Sequence, residues 1–162
     1  MYKGKKIVHI VARDLNGGIG ANNKLLWNIP EDMKHFKEST IGRVVLMGRN
    51  TFENLPNPLS RRVVLEVTTK WQKVYGSVAD KRAALLRSLD VSVDYCEILH
   101  TNTIFVAGGS QLYNSTFDIV DELWVTQVEK EYPEADTFYQ IPDGFTLVDE
   151  YYGEHCKDVG YS

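Results

Sequence analysis

Short apolar runs, most of them rich in β-branched residues, recur along the 162-residue chain and constrain its fold more than any other feature. They cover residues 7–12, 44–47, 63–67, 104–107 and 123–128. Nearly continuous apolar runs are typical of strands that are covered on both faces, whereas a strand with one solvated face alternates apolar and polar residues. The runs therefore predict a largely parallel central sheet with structure on both sides.

Stretches typical of helices lie between these runs, at residues 30–40, 50–54, 78–89 and 111–117. Strands that alternate with helices predict an α/β fold. No repeat, low-complexity tract or flexible linker divides the chain, so we expect a single domain over residues 1–162. The tail differs, because the pattern at residues 145–156 predicts one extended strand with little chain after it.

Composition limits the classes of function. The hydrophobic content of 43% is ordinary for a globular domain, and no apolar segment is long enough to cross a bilayer. A net charge of −4, with no block of lysine or arginine, argues against nucleic acid or a membrane as the main partner. Cys96 and Cys156 give no disulfide framework and suit a reducing cytoplasm. Cys96 and His100 alone make a poor ligand set, so we expect no metal site.

Two of the apolar runs lead directly into glycine. Gly48-Arg49-Asn50-Thr51 follows the second run, and Gly108-Gly109-Ser110-Gln111 follows the fourth. Ligands of parallel α/β sheets bind at the carboxyl ends of the strands, where glycine lets backbone amides approach a phosphate and a helix N-terminus favours its charge. Glycine is also a common turn residue, but two such junctions in a small domain favour a phosphate-bearing ligand.

A single carboxylate, Asp32, lies in the first turn of the predicted helix 30–40, shortly after Trp27. Asp32 and Phe36 are four residues apart and share one helix face. A carboxylate held against Trp27 and Phe36 would be poorly solvated, which raises its pKa and suits it to bind a cationic heterocycle or to handle a proton. An acid at this position also favours the helix dipole, so Asp32 alone does not decide the function.

Several motifs, taken in order, resemble the dihydrofolate reductase family. They are Ile19-Gly20 with residues 23, 25 and 27–32, then residues 45–53, residues 58–59 with Arg62, residues 106–113 and residues 136–138. The ordered set spans residues 7–144 and is far more specific than any one motif. The resemblance implies a single-domain α/β fold with flanking helices and an antiparallel C-terminal part, in which residues 43–105 form the adenosine-binding part.

The same resemblance implies a reaction. Hydride passes from NADPH to C6 of 7,8-dihydrofolate while N5 gains a proton, and the product is 5,6,7,8-tetrahydrofolate. The resemblance further implies a cytoplasmic, monomeric enzyme of one-carbon metabolism that antifolates target, with NADPH as cofactor and dihydrofolate as its small-molecule partner.

The resemblance also implies the catalytic and substrate-binding residues. Asp32 is expected to bind the pterin 2-amino group and N3 and to assist protonation, with Trp27 beside it and the Thr126 hydroxyl supporting its carboxylate. The implied substrate-binding residues are Ile10, Asp32, Phe36, Leu55, Leu59, Arg62, Ala107, Tyr113 and Thr126. Arg62 is expected to pair with the glutamate α-carboxylate through two hydrogen bonds, which lysine cannot reproduce.

A second set of residues is implied for the cofactor. It consists of Ala12, Ile19, Gly20, Gly48, Arg49, Asn50, Thr51, Thr68, Thr69, Gly108, Gly109, Ser110, Gln111 and Leu112. Arg49, Thr51 and Thr68 are expected at the phosphates, with Lys70 adding charge. The Gly108–Gly109 peptide bond is expected to be cis.

The chain departs from the family pattern at four places. Leu26 replaces a frequent proline, which predicts a looser loop over the nicotinamide and weaker binding of diaminopyrimidine antifolates. Gln111 replaces a frequent arginine, which predicts a reduced preference for NADPH over NADH. Ser60-Arg61-Arg62 replaces Pro-Gly-Arg, so Arg61 competes for the glutamate-binding role. The chain also ends before the usual end of the family's last strand, so residues 145–156 are expected to lack a full partner and to expose an edge.

Two other functions stay open at this point. A related reductase of pyrimidine intermediates in riboflavin synthesis shares the glycine pair but does not require residues 27–32, so Asp32 with Arg62 favours folate. A non-catalytic protein of the same fold, retained for binding or structure, is disfavoured by the intact Asp32, Arg49 and Arg62, but the short tail keeps it open.

Overall fold

The computed structural model describes residues 1–22, 24–27, 29–55, 59–68, 81–154 and 156–162. The strands are β1 (Lys6–Arg13), β2 (Gly18–Gly20), β3 (Val44–Gly48), β4 (Val63–Val67), β5 (Thr103–Val106), β6 (Glu122–Val128), β7 (Thr137–Phe138), β8 (Leu147–Tyr152) and β9 (Cys156–Tyr161). The helices are α1 (Pro30–Thr40), α2 (Arg49–Glu53), α3 (Lys81–Leu99) and α4 (Ser110–Thr116). None of these helices is both long and apolar enough to cross a membrane.

The main sheet has seven strands in the order β4-β3-β5-β1-β6-β9-β8. The pairs from β4 to β6 are parallel, whereas β9 runs antiparallel to both β6 and β8. A separate antiparallel pair joins β2 to β7. The α/β fold with a largely parallel sheet and an antiparallel C-terminal part is therefore confirmed.

The parallel strands are covered on both faces, because successive residues of a strand point to opposite sides. On one face, Ile7 and Val11 of β1 belong to a large cluster with residues of α3 and α4. On the other face, Val8 and Ile10 belong to a second cluster with Phe36 of α1. Burial on both faces explains why the strand sequences are nearly continuous apolar runs.

Helix α3 differs from its predicted range of 78–89, since it continues to Leu99, and residues 78–80 lie outside the described residues. The buried face of α3 carries Ser88 and Ser92 among its apolar residues. The Ser92 hydroxyl donates a 2.7 Å hydrogen bond to the Ser88 carbonyl, which satisfies it inside the core. These two serines interrupt the apolar periodicity, so the prediction ended the helix too early.

The predicted single strand at 145–156 is wrong. This region contains β8 and the start of β9, and the Gly153 N–H donates a 2.8 Å hydrogen bond to the Cys156 carbonyl in the connection. β9 lies between β6 and β8 and pairs with both, so the expected loss of a full partner is also wrong. The last strand of the hairpin is present, and β8 is the exposed edge strand.

Candidate active site

The two strand-to-glycine junctions lie side by side at the carboxyl end of the sheet. The Gly48 N–H donates a 2.7 Å hydrogen bond to the Gly108 carbonyl, and the Ala107 N–H donates a 2.9 Å hydrogen bond to the Leu46 carbonyl. The Gly108–Gly109 peptide bond is cis, as the resemblance predicts. These contacts bring the first residues of α2 and α4 to one rim of the sheet.

Glycine is required at Gly108 for two reasons. Its φ is +112°, in a region that side chains rarely adopt, and a Cβ there would lie 3.3 Å from Thr51 Oγ1. Gly48 and Gly109 hold the N-cap positions of α2 and α4, and no described side chain caps either helix. The first-turn N–H groups of both helices are therefore not taken up by a capping side chain.

Arg49 lies among carboxylates. Its Nε donates a 3.0 Å hydrogen bond to Glu53 Oε1, and both side chains are about half exposed. On β4, burial and the Glu53 charge raise the pKa of Glu66, whereas Arg49 lowers it. Thr68 directly follows β4, but Thr69 and Lys70 lie outside the described residues. An anion that binds Arg49 has to compete with Glu53 for the guanidinium group.

Asp32 lies in the first turn of α1 as predicted, and its carboxylate is poorly solvated. Burial is the largest cause that raises the pKa of Asp32, and the charges of Asp158 and Glu31 raise it further. The Trp27 Nε1–H donates a 3.2 Å hydrogen bond to Asp32 Oδ2, and this bond and His35 lower the pKa. The net result is a raised pKa, which confirms the desolvation expected from the sequence.

The apolar residues expected to line the substrate come together in the structure. Phe36, Leu55, Leu59 and Ala107 pack against the second core cluster, which contains Ile10. Phe36 lies one helical turn after Asp32, so the apolar surface begins next to the carboxylate. Leu55 and Leu59 flank residues 56–58, which lie outside the described residues.

The Ile10 carbonyl is held in place by Tyr113. The Tyr113 hydroxyl donates a 2.7 Å hydrogen bond to the Ile10 carbonyl, and the tyrosine is almost fully buried. Burial raises the pKa of Tyr113 well above its ordinary value, so the hydroxyl stays a donor. Leu112 is also buried, in the first core cluster, so only its backbone could contact a ligand.

Arg61 and Arg62 differ in their surroundings. Arg62 lies over the Phe36 ring, with Cζ 5.9 Å from the ring centroid, and its Nη1 donates a 3.4 Å hydrogen bond to Thr40 Oγ1. Its Nε donates to the Ser60 carbonyl at 3.0 Å. Arg61 is exposed, with a φ of +52°. Arg62 therefore lies at the Phe36 end of the apolar wall, whereas Arg61 projects into solvent.

The remaining cofactor candidates lie near the end of β1. Ala12 pairs with Thr126 of β6, and Gly20 ends β2 opposite Thr137. Ile19 packs against the first core cluster, and Leu26 is partly buried in the loop before α1. Because β1 is parallel to β3 and β5, Ala12 lies at the same end of the sheet as the glycine junctions. Asn50 lies in the first turn of α2, and Ser110 and Gln111 lie in the first turn of α4.

Comparisons with known proteins decide the family. A sequence profile described as dihydrofolate reductase matches residues 6–160. The chain is 34% identical over 147 residues to the dihydrofolate reductase of Enterococcus faecium, covering 88% of this chain and 83% of the relative. It is also 34% identical over 126 residues to that of Bacillus subtilis (strain 168), covering 78% and 71%. The chain belongs to the dihydrofolate reductase family.

A solved structure agrees with this family. The dihydrofolate reductase from Enterococcus faecalis, in complex with NADP(H) and RAB-propyl, superposes with a TM-score of 0.77 at 25% identity. The match covers 99% of this chain and 98% of that chain. The resemblance drawn from the ordered motifs is therefore confirmed at the level of the family and the fold.

One expectation from the dihydrofolate reductase resemblance differs from the structure. The Thr126 hydroxyl was expected to support Asp32, but it donates a 2.7 Å hydrogen bond to Asp158 Oδ1 instead. Thr126 and Asp158 are paired across β6 and β9, which places the second carboxylate directly beside the hydroxyl. A hydroxyl has one hydrogen to donate, so Asp158 takes the hydrogen that was assigned to Asp32.

Three residues near Asp32 or its partner Trp27 were not predicted. His35 follows Asp32 by three residues, and this helical spacing was a signal that could have found it. Asp158 could be found only by recognising that β9 pairs with β6, because its place depends on that register. Tyr132 packs against Trp27, with ring centroids 5.4 Å apart, and no pattern in the sequence brings these two residues together.

Proposed function

We propose that this chain transfers hydride from NADPH to C6 of 7,8-dihydrofolate while N5 gains a proton, which gives 5,6,7,8-tetrahydrofolate. The observation that carries the proposal is the desolvated Asp32 carboxylate, held by the Trp27 indole N–H one helical turn before Phe36. Membership of the dihydrofolate reductase family supports it.

Asp32 is the residue we assign to the pterin. A carboxylate accepts hydrogen bonds from the pterin 2-amino group and N3. Its raised pKa brings its protonation closer to neutral pH, which suits a group that takes part in delivering a proton to N5. Trp27 orients the carboxylate through its N–H. Thr126 donates its hydroxyl hydrogen to Asp158, whose charge acts on Asp32.

The rest of the substrate follows the apolar wall. Phe36, Leu55 and Leu59 would contact the aminobenzoyl part, and the carbonyls of Ile10 and Ala107 would border the pterin edge. Tyr113 fixes the direction of the Ile10 carbonyl.

We assign the glutamate α-carboxylate to Arg62 rather than Arg61. Arg62 packs over Phe36 at the end of the wall, whereas Arg61 is exposed. A guanidinium group can bind a carboxylate with two parallel hydrogen bonds.

The glycine junctions fit the phosphates of NADPH. Gly108 and Gly109 keep side chains out of the space beside Thr51, and the N-cap residues of α2 and α4, Gly48 and Gly109, are glycines. The proposed cofactor-binding residues are Ala12, Ile19, Gly20, Gly48, Arg49, Asn50, Thr51, Thr68, Thr69, Gly108, Gly109, Ser110, Gln111 and Leu112. Bound there, NADPH would supply the hydride. Residues 43–105 would form the adenosine-binding part.

Further expectations complete the proposal. We expect residues 1–162 to act as a single domain and a cytoplasmic monomer that does not bind nucleic acid. The net charge of −4 is consistent with a small-molecule partner rather than a nucleic acid. Light scattering coupled to size-exclusion chromatography measures the oligomeric state directly.

The test of the proposed function is NADPH oxidation by the purified protein, followed by absorbance. Oxidation that depends on added dihydrofolate is the expected result. A folded protein whose melting temperature rises with NADPH, but which oxidises it only with pyrimidine intermediates of riboflavin synthesis, would contradict the substrate assignment. A protein that binds NADPH and oxidises it with neither substrate would contradict catalysis altogether.

A further inference from the structure

Asp158 lies on β9 beside the proposed substrate site, between Thr126 of β6 and His35 of α1. Its Oδ1 accepts the Thr126 hydroxyl hydrogen at 2.7 Å. Its Oδ2 lies 3.6 Å from His35 Nδ1, and the two side chains are each about one third exposed. The Asp158 carboxylate on β9 therefore contacts both Thr126 on β6 and His35 on α1.

His35 connects this carboxylate to Asp32. It lies three residues after Asp32 on α1, so the two side chains are neighbours along the helix. His35 favours the charged form of Asp32, whereas the negative charge of Asp158 disfavours it.

We propose that Asp158, held by Thr126 and facing His35, is a positioning residue that sets the charge around Asp32 and thereby the pH range over which the reaction runs. This inference rests on the proposed function, because it assigns Asp158 a role in the same reaction. Asp158 acts through Asp32 and does not itself touch the substrate.

The titratable groups that act on Asp32 are Glu31 and His35 on α1, Cys156 and Asp158 on β9, and Tyr113 on α4. Further charges lie one step away: Lys157 on β9 interacts with Glu150 on β8, and Glu129 after β6 interacts with Lys157 and Cys156. Of these, Asp158 is the one that bonds Thr126 and faces His35.

Several of these groups do not change charge near neutral pH or are directed elsewhere. Burial raises the pKa of the Cys156 thiol to about 11, so the thiol stays uncharged. Burial likewise keeps the Tyr113 hydroxyl protonated. Lys157 Nζ bonds Glu150 Oε1 at 3.2 Å and lies 5.5 Å from the Tyr152 ring centroid, so its charge is directed toward β8.

The direction of the effect follows from the charges. The negative charge of Asp158 disfavours ionisation of Asp32, so its removal lets Asp32 lose its proton at a lower pH. Because the reaction needs a proton at N5, activity falls as the pH rises and the proton is lost. Removal of the Asp158 charge should therefore start this fall at a lower pH.

Asp158→Asn tests this, since it removes the charge and keeps the shape and an oxygen that can accept the Thr126 hydrogen. The proton concentration at which kcat/KM is half-maximal, read from the full pH profile, should rise about two- to fivefold, as expected for a partly exposed charge pair. Asp158→Glu should keep the wild-type midpoint. Asp149→Asn, on exposed β8, makes the same charge change elsewhere and should leave the midpoint unchanged.

A second measurement needs no substrate. Carbon NMR of carboxyl-labelled aspartate, with the Asp32 signal assigned from Asp32→Asn, follows the titration of Asp32 directly. Its midpoint should move down in Asp158→Asn and stay in place in Asp149→Asn. If Asp158→Asn does not fold, Asp158→Ser carries the test, since it also removes the charge, and the midpoint should again move down.

The two hypotheses fail separately. An unchanged Asp32 midpoint in Asp158→Asn, or in Asp158→Ser where that variant carries the test, overturns the inference. Absence of turnover in the wild-type protein, with the shift of the Asp32 midpoint present, overturns the proposed function but keeps the coupling between Asp158 and Asp32.

Discussion

Trp27 donates the hydrogen of its indole N–H to the Asp32 carboxylate over 3.2 Å. This contact has a defined electrostatic consequence, because it favours the charged form of Asp32 while burial of the same carboxylate favours the neutral form. Burial is the larger effect, and the pKa of Asp32 is raised. A carboxylate under these two opposing influences can both bind a cationic ring and exchange a proton, which is what reduction of a pterin requires.

Arg62→Lys should weaken substrate binding while Arg61→Lys should not. Lysine keeps the charge but loses the planar pair of donors, so the KM for dihydrofolate should rise about tenfold or more in Arg62→Lys. Steady-state kinetics of the two variants makes the comparison, with Arg61→Lys as the matched control. A larger effect in Arg61→Lys would assign the glutamate to Arg61.

Gly108→Ala should reduce NADPH binding beyond its effect on stability. The new Cβ would lie 3.3 Å from Thr51 Oγ1 in the proposed phosphate site. Gly144→Ala is the matched control, because Gly144 also has a positive φ but a Cβ there meets nothing within 4 Å. Both variants should lose about 1 kcal/mol of stability.

The difference between these two variants is read from the melting temperature. NADPH should raise the melting temperature of Gly144→Ala as much as that of the wild-type protein and that of Gly108→Ala much less. Equal rises in both variants would show that the cofactor does not use the space beside Gly108.

The sequence predicted the parts of the fold that depend on local pattern. Helix α1 is found at its predicted residues, and the strands around Ile7, Val44 and Ile104 are found close to theirs. The strands have unbroken apolar patterns because they are buried on both faces, and the start of α1 is marked by Pro30, which suits the first helical position. The α3 helix was predicted too short because Ser88 and Ser92 interrupt the apolar pattern, although the Ser92 hydroxyl is satisfied inside the core by the Ser88 carbonyl.

The parts that failed depend on contacts between distant segments. The pairing of Thr126 with Asp158 exists only because β9 inserts beside β6, and no local pattern encodes that register. The same holds for the contact of Trp27 with Tyr132. The poorly solvated position of Asp32, by contrast, was predicted from Trp27 and Phe36, which are close to it in sequence.

The buried histidine of β1 should make the fold sensitive to acid. His9 Nδ1 lies 3.0 Å from the Tyr139 hydroxyl and Nε2 lies 2.6 Å from Thr116 Oγ1. Burial lowers the pKa of His9 to about 3. The unfolded chain binds this proton below about pH 6.5, so the stability is complete above that pH and falls as the pH drops toward 3.

At about pH 4 the His9 contribution to this loss should be roughly 3 kcal/mol. Urea unfolding at neutral pH and at about pH 4 measures it as the difference between wild type and His9→Gln, whose amide does not titrate. His100→Gln, in an exposed turn, is the control and should behave as the wild type. An acid loss in His9→Gln equal to that of the wild type would show that His9 is not responsible.

The most direct test of the central claim compares NADPH oxidation with dihydrofolate in the wild-type protein and in Asp32→Asn at neutral pH. Asparagine keeps the shape but cannot hold or deliver the proton, so turnover should fall by about a hundredfold or more. Asp149→Asn should keep full turnover, and NADPH should still raise the melting temperature of Asp32→Asn. If Asp32→Asn retains turnover within about threefold of the wild type, a range too small for the loss of a general acid, Asp32 is not the centre of the reaction.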